Sequence, residues 1–339
     1  MKLGIIGLAG AGKSTIFSAI THQFSEPGTI IDNRIGTIDV PDVRVDRLSR
    51  MYNPRKTIYA KVEYLLPGIA GSKKDKNQFN AVRDCDALIH VVRNFQQFGL
   101  EPPNPFTDLQ QINLEMIVSD LVVTETRLER LEKDKQRGRD ISAEEQLLLL
   151  DCHQKLENGI PLRSEPKLSF ARCLRGYAFI SAKPQLVLFN NNDNDETVPE
   201  GSESLWAESM VIRGKLEQEL SQMADDEVES FLEEFHISSS AMDRVIQKSY
   251  QLLGLISFFT VGEDEVRAWT IAAGTPAVEA AGGIHTDIQK GFIRAEVLAY
   301  DDLMTAGSFA EAKKNGTVRL EGRDYLVQNG DIINFRFNV

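Results

Sequence analysis

Apolar residues fall in short runs over the first third of the chain, at Leu3 to Ile6, Gly36 to Val40, Ala60 to Leu66 and Ala87 to Val92, with helical or looped stretches between them. That alternation predicts a βαβ sheet with covering helices. From Asp108 the period changes: Leu114, Ile117, Leu121, Thr124, Leu128 and Leu131 recur at helical spacing among many charges. This predicts one long arm of a helical hairpin. The basic stretch Lys133 to Arg139 would be its tip, and Ser142 to Leu156 its return arm, with Ser142 as N-cap and Glu145 three residues on. A strand at Gln185 to Phe189 resumes the sheet, an apolar piece follows at Ser209 to Ile212, and Glu217 to Leu253 reads as helical. Beyond Gly254 the pattern shifts to short strands, Ile256 to Val261, Glu265 to Ile271, Gly291 to Ala299, Thr317 to Leu320, Asp324 to Val327 and Asp331 to Val339. Asn329-Gly330 is a hairpin turn signal among them. The expected organisation is an α/β domain over 1–110 and 166–254, an inserted hairpin over 111–165, and a mostly β module over 255–339.

Between the first apolar run and the helical stretch opening at Thr15 stands Gly7-Leu8-Ala9-Gly10-Ala11-Gly12-Lys13-Ser14, a complete GxxxxGKS phosphate loop. Such a loop turns backbone N–H groups toward a polyphosphate, its lysine reaches the β and γ phosphates, and its serine hydroxyl binds Mg²⁺. The expected ligand is a nucleoside triphosphate held by Gly7, Ala9, Gly10, Ala11, Gly12, Lys13, Ser14 and Thr15, with Mg²⁺ on Ser14.

Composition narrows the class. The 339 residues, 42% of them hydrophobic, suffice for two or three ordinary cores. No stretch reaches 18 consecutive apolar residues, and the first strand begins without a signal peptide before it. The chain reads as soluble and cytoplasmic, with no membrane partner. Cys85, Cys152 and Cys173 lie far apart, with no spacing that resembles a zinc site. A net charge of −12 speaks against DNA as a partner and restricts any RNA contact to local basic patches. The hairpin tip and the lysines of Ser72-Lys73-Lys74-Asp75-Lys76-Asn77 are the only local candidates.

These features together resemble the YchF family of the Obg-related GTPases, over essentially the whole chain. The likeness is strongest at Phe259-Thr260-Val261-Gly262-Glu263, Val266-Arg267-Ala268-Trp269-Thr270-Ile271, His285-Thr286-Asp287, Gly291-Phe292-Ile293-Arg294-Ala295-Glu296-Val297 and Phe335-Arg336-Phe337-Asn338-Val339, which are similar to the family's TGS module. The resemblance implies a P-loop G domain with a Rossmann-like sheet, an inserted α-helical coiled-coil hairpin and a C-terminal β-grasp TGS domain. It also implies association with ribosomes, as the large subunit or 70S particle, or with structured RNA, and a preference for ATP over GTP.

Three positions carry the rest of the expected chemistry. Thr29 resembles the switch I threonine that adds a second Mg²⁺ ligand; a turn-capping role is the alternative. The third motif, DxxG, would end the strand Val62 to Leu66, but Pro67-Gly68-Ile69-Ala70-Gly71 puts Gly68 at the acid's position, and a gapless alignment puts Leu66 there. The acid is missing either way, which weakens Mg²⁺ placement and phosphoryl transfer. Asp75 is the one nearby substitute, set among lysines. The family's hydrophobic residue after the motif is replaced by Ser72. Base reading falls to Asn190-Asn191-Asn192-Asp193, in place of NKxD, with Asn190 and Asp193 facing the base and Gly214 and Lys215 supplying the following base loop. An Asp there accepts the N1–H and N2–H of guanine, whereas the ATP-preferring family usually has Glu. Base choice, GTP or ATP, therefore stays open. Ser181-Ala182-Lys183 looks like the superfamily's base loop but precedes the Asn run. Two readings remain: a YchF-like, ribosome-associated NTPase switch, or a pseudo-GTPase that binds nucleotide and hydrolyses it poorly. A P-loop kinase is disfavoured, because the Asn run and TGS module have no place in one.

Overall fold

Leu3, Gly4, Ile5 and Ile6 are all buried, as an interior strand covered on both faces requires. They form most of β1 (Lys2–Ile6), which pairs in parallel with β4 (Lys61–Leu66) on one side and β5 (Ala87–Asn94) on the other. The full sheet has the order β2-β4-β1-β5-β6-β7, with β2 (Arg34–Asp39), β6 (Gln185–Asn191) and β7 (Glu208–Ile212) completing it. All seven residues of β6 are buried. The computed structural model describes residues 1–24, 32–68, 76–97, 99, 101–201, 208–224, 227–228, 231 and 240–338. They divide into one unit of Met1–Thr37 with Glu63–Val245 and another of Ile38–Val62 with Ile246–Val339.

In the first unit, α1 (Lys13–Thr21) buries Ile16, Phe17, Ala19 and Ile20. The helix α3 (Lys76–Val82) lies so close to β1 that a Cβ on Gly4 would meet Val82 Cγ1 at 2.5 Å. The long helix α4 (Pro105–Gln136) starts on Asn104, whose side chain caps Thr107 N–H, and places Pro105 at its first position, where a missing N–H costs nothing. Its 32 residues span roughly 48 Å. Its return partner α5 (Ala143–Glu157) is capped by Ser142, which accepts from Glu145 N–H at 3.2 Å.

The buried face of α4 turns along its length. Near its start Leu109, Ile112 and Met116 pack on the sheet with residues such as Val187 and Leu88; farther on, Ile117 and Leu131 pack with Leu149, Cys152 and Leu156 of α5. Leu114, expected in the apolar stripe, is 57% exposed. The stripe holds only where α5 is the partner.

The second unit is built on a six-stranded sheet in the order β11-β10-β12-β8-β9-β3. β8 (Leu255–Val261) and β9 (Glu265–Ala272) form an antiparallel hairpin, β12 (Asp331–Phe337) runs parallel to β8 and antiparallel to β10 (Phe292–Ala299), and β11 (Arg319–Glu321) lines the far edge. The three-residue β3 (Lys56–Ile58) adds in parallel to β9. The strands and the crossing helix α9 (Ala277–Ile284) make the β-grasp arrangement, with Phe258, Ala277, Ala280, Ala281, Val297 and Phe335 at its core.

Here the sequence expectation needs correction. The module is not mostly strand: besides α9 it contains α10 (Thr286–Lys290), α11 (Tyr300–Ala306) and α12 (Phe309–Lys314). Asp324 to Val327 is not a strand; Leu326 makes only an isolated bridge to Pro276. Asn329-Gly330 does not join a hairpin either. Gly330, at φ +96°, donates its N–H to Ser257 O at 2.8 Å, and the turn feeds β12, whose partners are β10 and β8. The region read as continuous helix from Glu217 contains α7 (Gly214–Leu220) and α8 (Ala241–Leu252) as its described helices of more than one turn.

Candidate functional site

The carboxyl ends of β1, β4, β5 and β6 open on one cavity of about 830 Å³, which α7 also lines. Ligands of open parallel sheets bind outside this edge of the strands, because the loops there diverge to opposite faces. After β1 the chain leaves through Gly7 at φ +148°, where a Cβ would sit 2.3 Å from the Val91 carbonyl oxygen of β5. Only glycine lets the loop start that close to the neighbouring strand. Gly10 and Gly12 continue at φ +79° and +95°. The loop then becomes α1, whose N-cap Gly12 offers no side-chain acceptor to the first-turn N–H groups. Those groups have no partner inside the helix, and with the helix dipole they form an anion-binding end.

Gly7, Ala9, Gly10, Gly12, Lys13, Ser14 and Thr15 all line the cavity. Lys13 Nζ donates to the carbonyls of Gly7 and Leu8, each at 2.7 Å, which folds the ammonium over the loop. Ser14 is exposed toward the cavity. Ala11 does not line it; its side chain is buried and its carbonyl accepts from Asn190 Nδ2 at 3.0 Å.

Asn190, at the end of β6, is 4% exposed and uses both ends of its amide within the protein. Beyond the bond to Ala11, its Oδ1 accepts Gly214 N–H at 2.9 Å. One side chain thus ties the phosphate loop to the start of α7. Asn191, Asn192 and Asp193 line the cavity beyond it, and Lys215 and Gln218 face it from α7. Gly214 is buried at the junction, while Arg213 Nη1 pairs with Glu196 Oε1 at 3.0 Å. Ser181-Ala182-Lys183 lies elsewhere: Ser181 is fully buried, its N–H donates to Asp120 Oδ2 at 2.6 Å, and Lys183 Nζ donates to Cys85 O.

The fourth wall is the end of β4. Leu66, Pro67 and Gly68 all line the cavity. Leu66 is 2% exposed, and Gly68 donates its N–H to Asn33 Oδ1 at 2.9 Å. Neither position assigned to the missing acid carries a carboxylate, and Asp193 is the one acid among the described lining residues. No cluster of three metal-ligating side chains occurs among the described residues. Thr29, Ser72 and Asp75 lie outside the described residues.

The cavity fits a nucleotide. Its volume, the glycine cradle, the uncapped helix end and two lysines match a polyphosphate with an attached base. For a magnesium ion the phosphate loop supplies the Ser14 hydroxyl. Phe95, Gln96, Gln97 and Gln218 also line the cavity, and sequence reading did not pick them out. The first three follow β5 directly, so the rule that ligands sit beyond the carboxyl ends of parallel strands points to them. Gln218 follows Lys215 by three residues on the same helix face.

At the basic hairpin tip, Lys133 Nζ lies 3.6 Å from Glu129 and Arg139 Nη1 lies 3.0 Å from Asp134. Two of its cations are therefore balanced locally. No helix among the described residues is long and apolar enough to cross a membrane.

Comparison with known proteins places this geometry in context. A family model for the YchF GTPase C-terminal region, described as a protein of unknown function, matches residues 255–338, and a 50S ribosome-binding GTPase model matches residues 2–126. The chain is 39% identical to the ribosome-binding ATPase YchF of Bacillus subtilis, with all of both chains covered. It is 37% identical to the protein of the same name from Pasteurella multocida, covering all of this chain and 99% of that one. The structure of the Schizosaccharomyces pombe YchF GTPase matches with a TM-score of 0.86 at 28% identity, over 99% of this chain and 97% of that one. A GTP-binding protein from Pyrococcus horikoshii OT3 shares the fold, with a TM-score of 0.61 at 18% identity over the full length of both chains.

Proposed function

The chain belongs to the YchF family, and from that premise we propose that it is a cytoplasmic nucleoside triphosphatase that associates with the ribosome in a nucleotide-dependent way. The observation that carries this reading is the cradle: Gly7 and Gly12 in conformations that side chains resist, an uncapped α1, and Lys13 folded over the loop, facing a base-side wall from β6 and α7. Gly7 to Thr15 would take the phosphates, and Asp193 with Lys215 would flank the base. Asn190, with Gly214, would hold the base wall against the phosphate loop. Ser14 would contribute to Mg²⁺, with Thr29 as the second protein ligand. The bound ion would neutralise charge on the β and γ phosphates.

Hydrolysis is proposed to be slow. In phosphoryl transfer the protein mainly positions the reactants and stabilises charge, and the end of β4 offers no carboxylate to help hold the ion. The hairpin of α4 and α5 and the C-terminal β-grasp module, read as a TGS domain, are the parts proposed to meet ribosome or structured RNA. The proposed domain limits are 1–110 with 166–254, 111–165 and 255–339.

The test is co-sedimentation with 70S ribosomes in the presence of a non-hydrolysable triphosphate, a diphosphate or no nucleotide, alongside a multiple-turnover phosphate-release assay. Nucleotide-dependent pelleting and slow turnover, both abolished by Lys13→Ala, are expected. Pelleting indifferent to nucleotide would refute the switch. Tight nucleotide binding with no turnover at all would make the protein a pseudo-GTPase.

A further inference from the structure

β2 and β4 are neighbours in the first sheet, and each begins in one unit of the chain and ends in the other. Arg34 to Thr37 and Glu63 to Leu66 belong to the first unit, whereas all that lies between them in sequence, Ile38 to Val62, belongs with the β-grasp module. Local chemistry explains why. Asp42 accepts Arg44 N–H at 2.9 Å and so starts α2 (Val43–Tyr52), which buries Val45 and Leu48 completely. Arg44 stands over the Phe259 ring of β8, 5.0 Å from its centroid, and donates to Asn329 Oδ1 at 3.1 Å. Gln247 of α8 donates to Pro41 O at 3.1 Å. After α2, Arg55 and Lys56 donate their N–H groups to Glu263 O and Asp264 O, each at 3.1 Å, and β3 pairs with β9 from Lys56–Glu265 to Ile58–Arg267. Helix burial, a stacked guanidinium and a strand ladder thus hold the segment in the module.

The other ends of the same two strands meet at the nucleotide cavity. Asn33, the residue before β2, accepts the N–H of Gly68, two residues beyond β4, at 2.9 Å, and Gly68 lines the cavity.

Resting on the nucleotide reading above, we infer that residues 33–68 are the route by which the γ phosphate regulates the β-grasp module, with Asn33 and Gly68 as the sensing end and α2 with β3 as the output end. A triphosphate reaches the β4 wall and competes with Asn33 for the Gly68 N–H. A diphosphate is one phosphate shorter and leaves that bond in place. Releasing it shifts β2 against β4, and extended strands carry the shift to Val40 and Ala60, which share a hydrogen bond of 2.8 Å, and so to α2 and β3. Coupling of this kind is reciprocal: loosening the module's hold on the segment alters triphosphate affinity by the factor with which the γ phosphate alters that hold.

Equilibrium titration of nucleotide-free protein with the β,γ-imido triphosphates and the diphosphates of guanosine and adenosine gives a ratio of triphosphate to diphosphate affinity in which the base cancels. Lys56→Pro removes the N–H that Asp264 accepts, in an edge strand where proline is tolerated, and Lys56 is not among the residues that line the cavity. This variant is expected to change the ratio roughly fivefold or more. Hydrogen exchange of the wild type, read in peptides covering 43–58 and 263–272, is expected to differ between its triphosphate-bound and diphosphate-bound forms. Arg44→Ala, which removes the stack on Phe259 and the bond to Asn329, takes the place of Lys56→Pro if that variant does not fold. An unchanged ratio, or identical exchange with the two nucleotides, overturns the inference and leaves the nucleotide site standing. Wild-type protein that binds no nucleotide refutes the site itself, and the coupling with it.

Discussion

His90 gives the clearest pH test of the fold. It stands on β5, 1% exposed, with its Nδ1 2.8 Å from Gln185 Nε2. Burial first, and then the nearby charges of Arg163 and Lys13, push its pKa from an ordinary 6.5 down to about 3. The folded protein therefore keeps the ring neutral at pH values where the unfolded chain protonates it. Below pH 6.5 the unfolded state binds the extra proton, so stability falls as pH drops and continues to fall until about pH 3. The slope is about 1.4 kcal/mol per pH unit, so about 2 kcal/mol is lost between pH 6.5 and 5, before most carboxylates titrate. For a unit of this size that corresponds to a fall in Tm of roughly 4–8 °C. His90→Asn retains an acceptor for the Gln185 amide and cannot take the proton. Thermal melts of both proteins from pH 7 to 5 should diverge, with the wild type losing about 2 kcal/mol more than the variant. Parallel curves would mean that His90 ionises freely in the folded state and that its burial exerts no penalty.

Three further substitutions probe the backbone and the buried network. Gly7→Ala must fit a Cβ 2.3 Å from a strand carbonyl at φ +148°, whereas Gly138→Ala, at φ +70°, meets nothing within 4 Å. The first should cost about 3–5 kcal/mol and the second about 1 kcal/mol in denaturant titrations, and equal losses would contradict the steric account. Asp120 on α4 is fully buried and accepts Ile180 N–H at 3.0 Å and Ser181 N–H at 2.6 Å, with Arg83 3.5 Å away. Asp120→Ala strands both donors and should cost about 2–5 kcal/mol, read as faster hydrogen exchange at those two amides; unchanged exchange would show that water replaces the carboxylate without penalty.

How far the chain could be read in advance depended on the length of each signal. The phosphate loop fixes four residue types at set spacing within eight consecutive positions, and the α4–α5 hairpin repeats its period over several turns, so both stand out in sequence. The helices α10, α11 and α12 have five to seven residues, too few for a 3.6-residue period to separate from strand alternation. In α9 the inward residues are Ala277, Ala280 and Ala281, small side chains that let a helix sit close to a sheet but carry a weak apolar pattern. Leu114 fitted the stripe by spacing alone, since no local rule tells a helix that its partner changes from sheet to helix. The pairing of β3 with β9 and the placing of Phe95 and Gln218 on the cavity are products of tertiary assembly.

Asn190 joins the phosphate loop to the start of α7 independently of the wall at the end of β4. A Cβ on Gly12 would lie 2.3 Å from Asn190 Nδ2, and one on Gly214 would lie 2.7 Å from Asn190 Oδ1. The amide therefore fits only because both its neighbours are glycine, and it bonds to Ala11 on one side and Gly214 on the other. Asn190 thereby links the phosphate loop to the start of α7 through one side chain. The end of β4 enters the cavity by another route: Leu66 is anchored in the core, Pro67 has no N–H to offer, and the N–H of Gly68 is occupied by Asn33. Its described residues share no hydrogen bond with the Asn190 junction. On the proposed reading, the lack of an acid on this wall removes a contribution to phosphoryl transfer without touching the hydrogen bonds of the Asn190 junction.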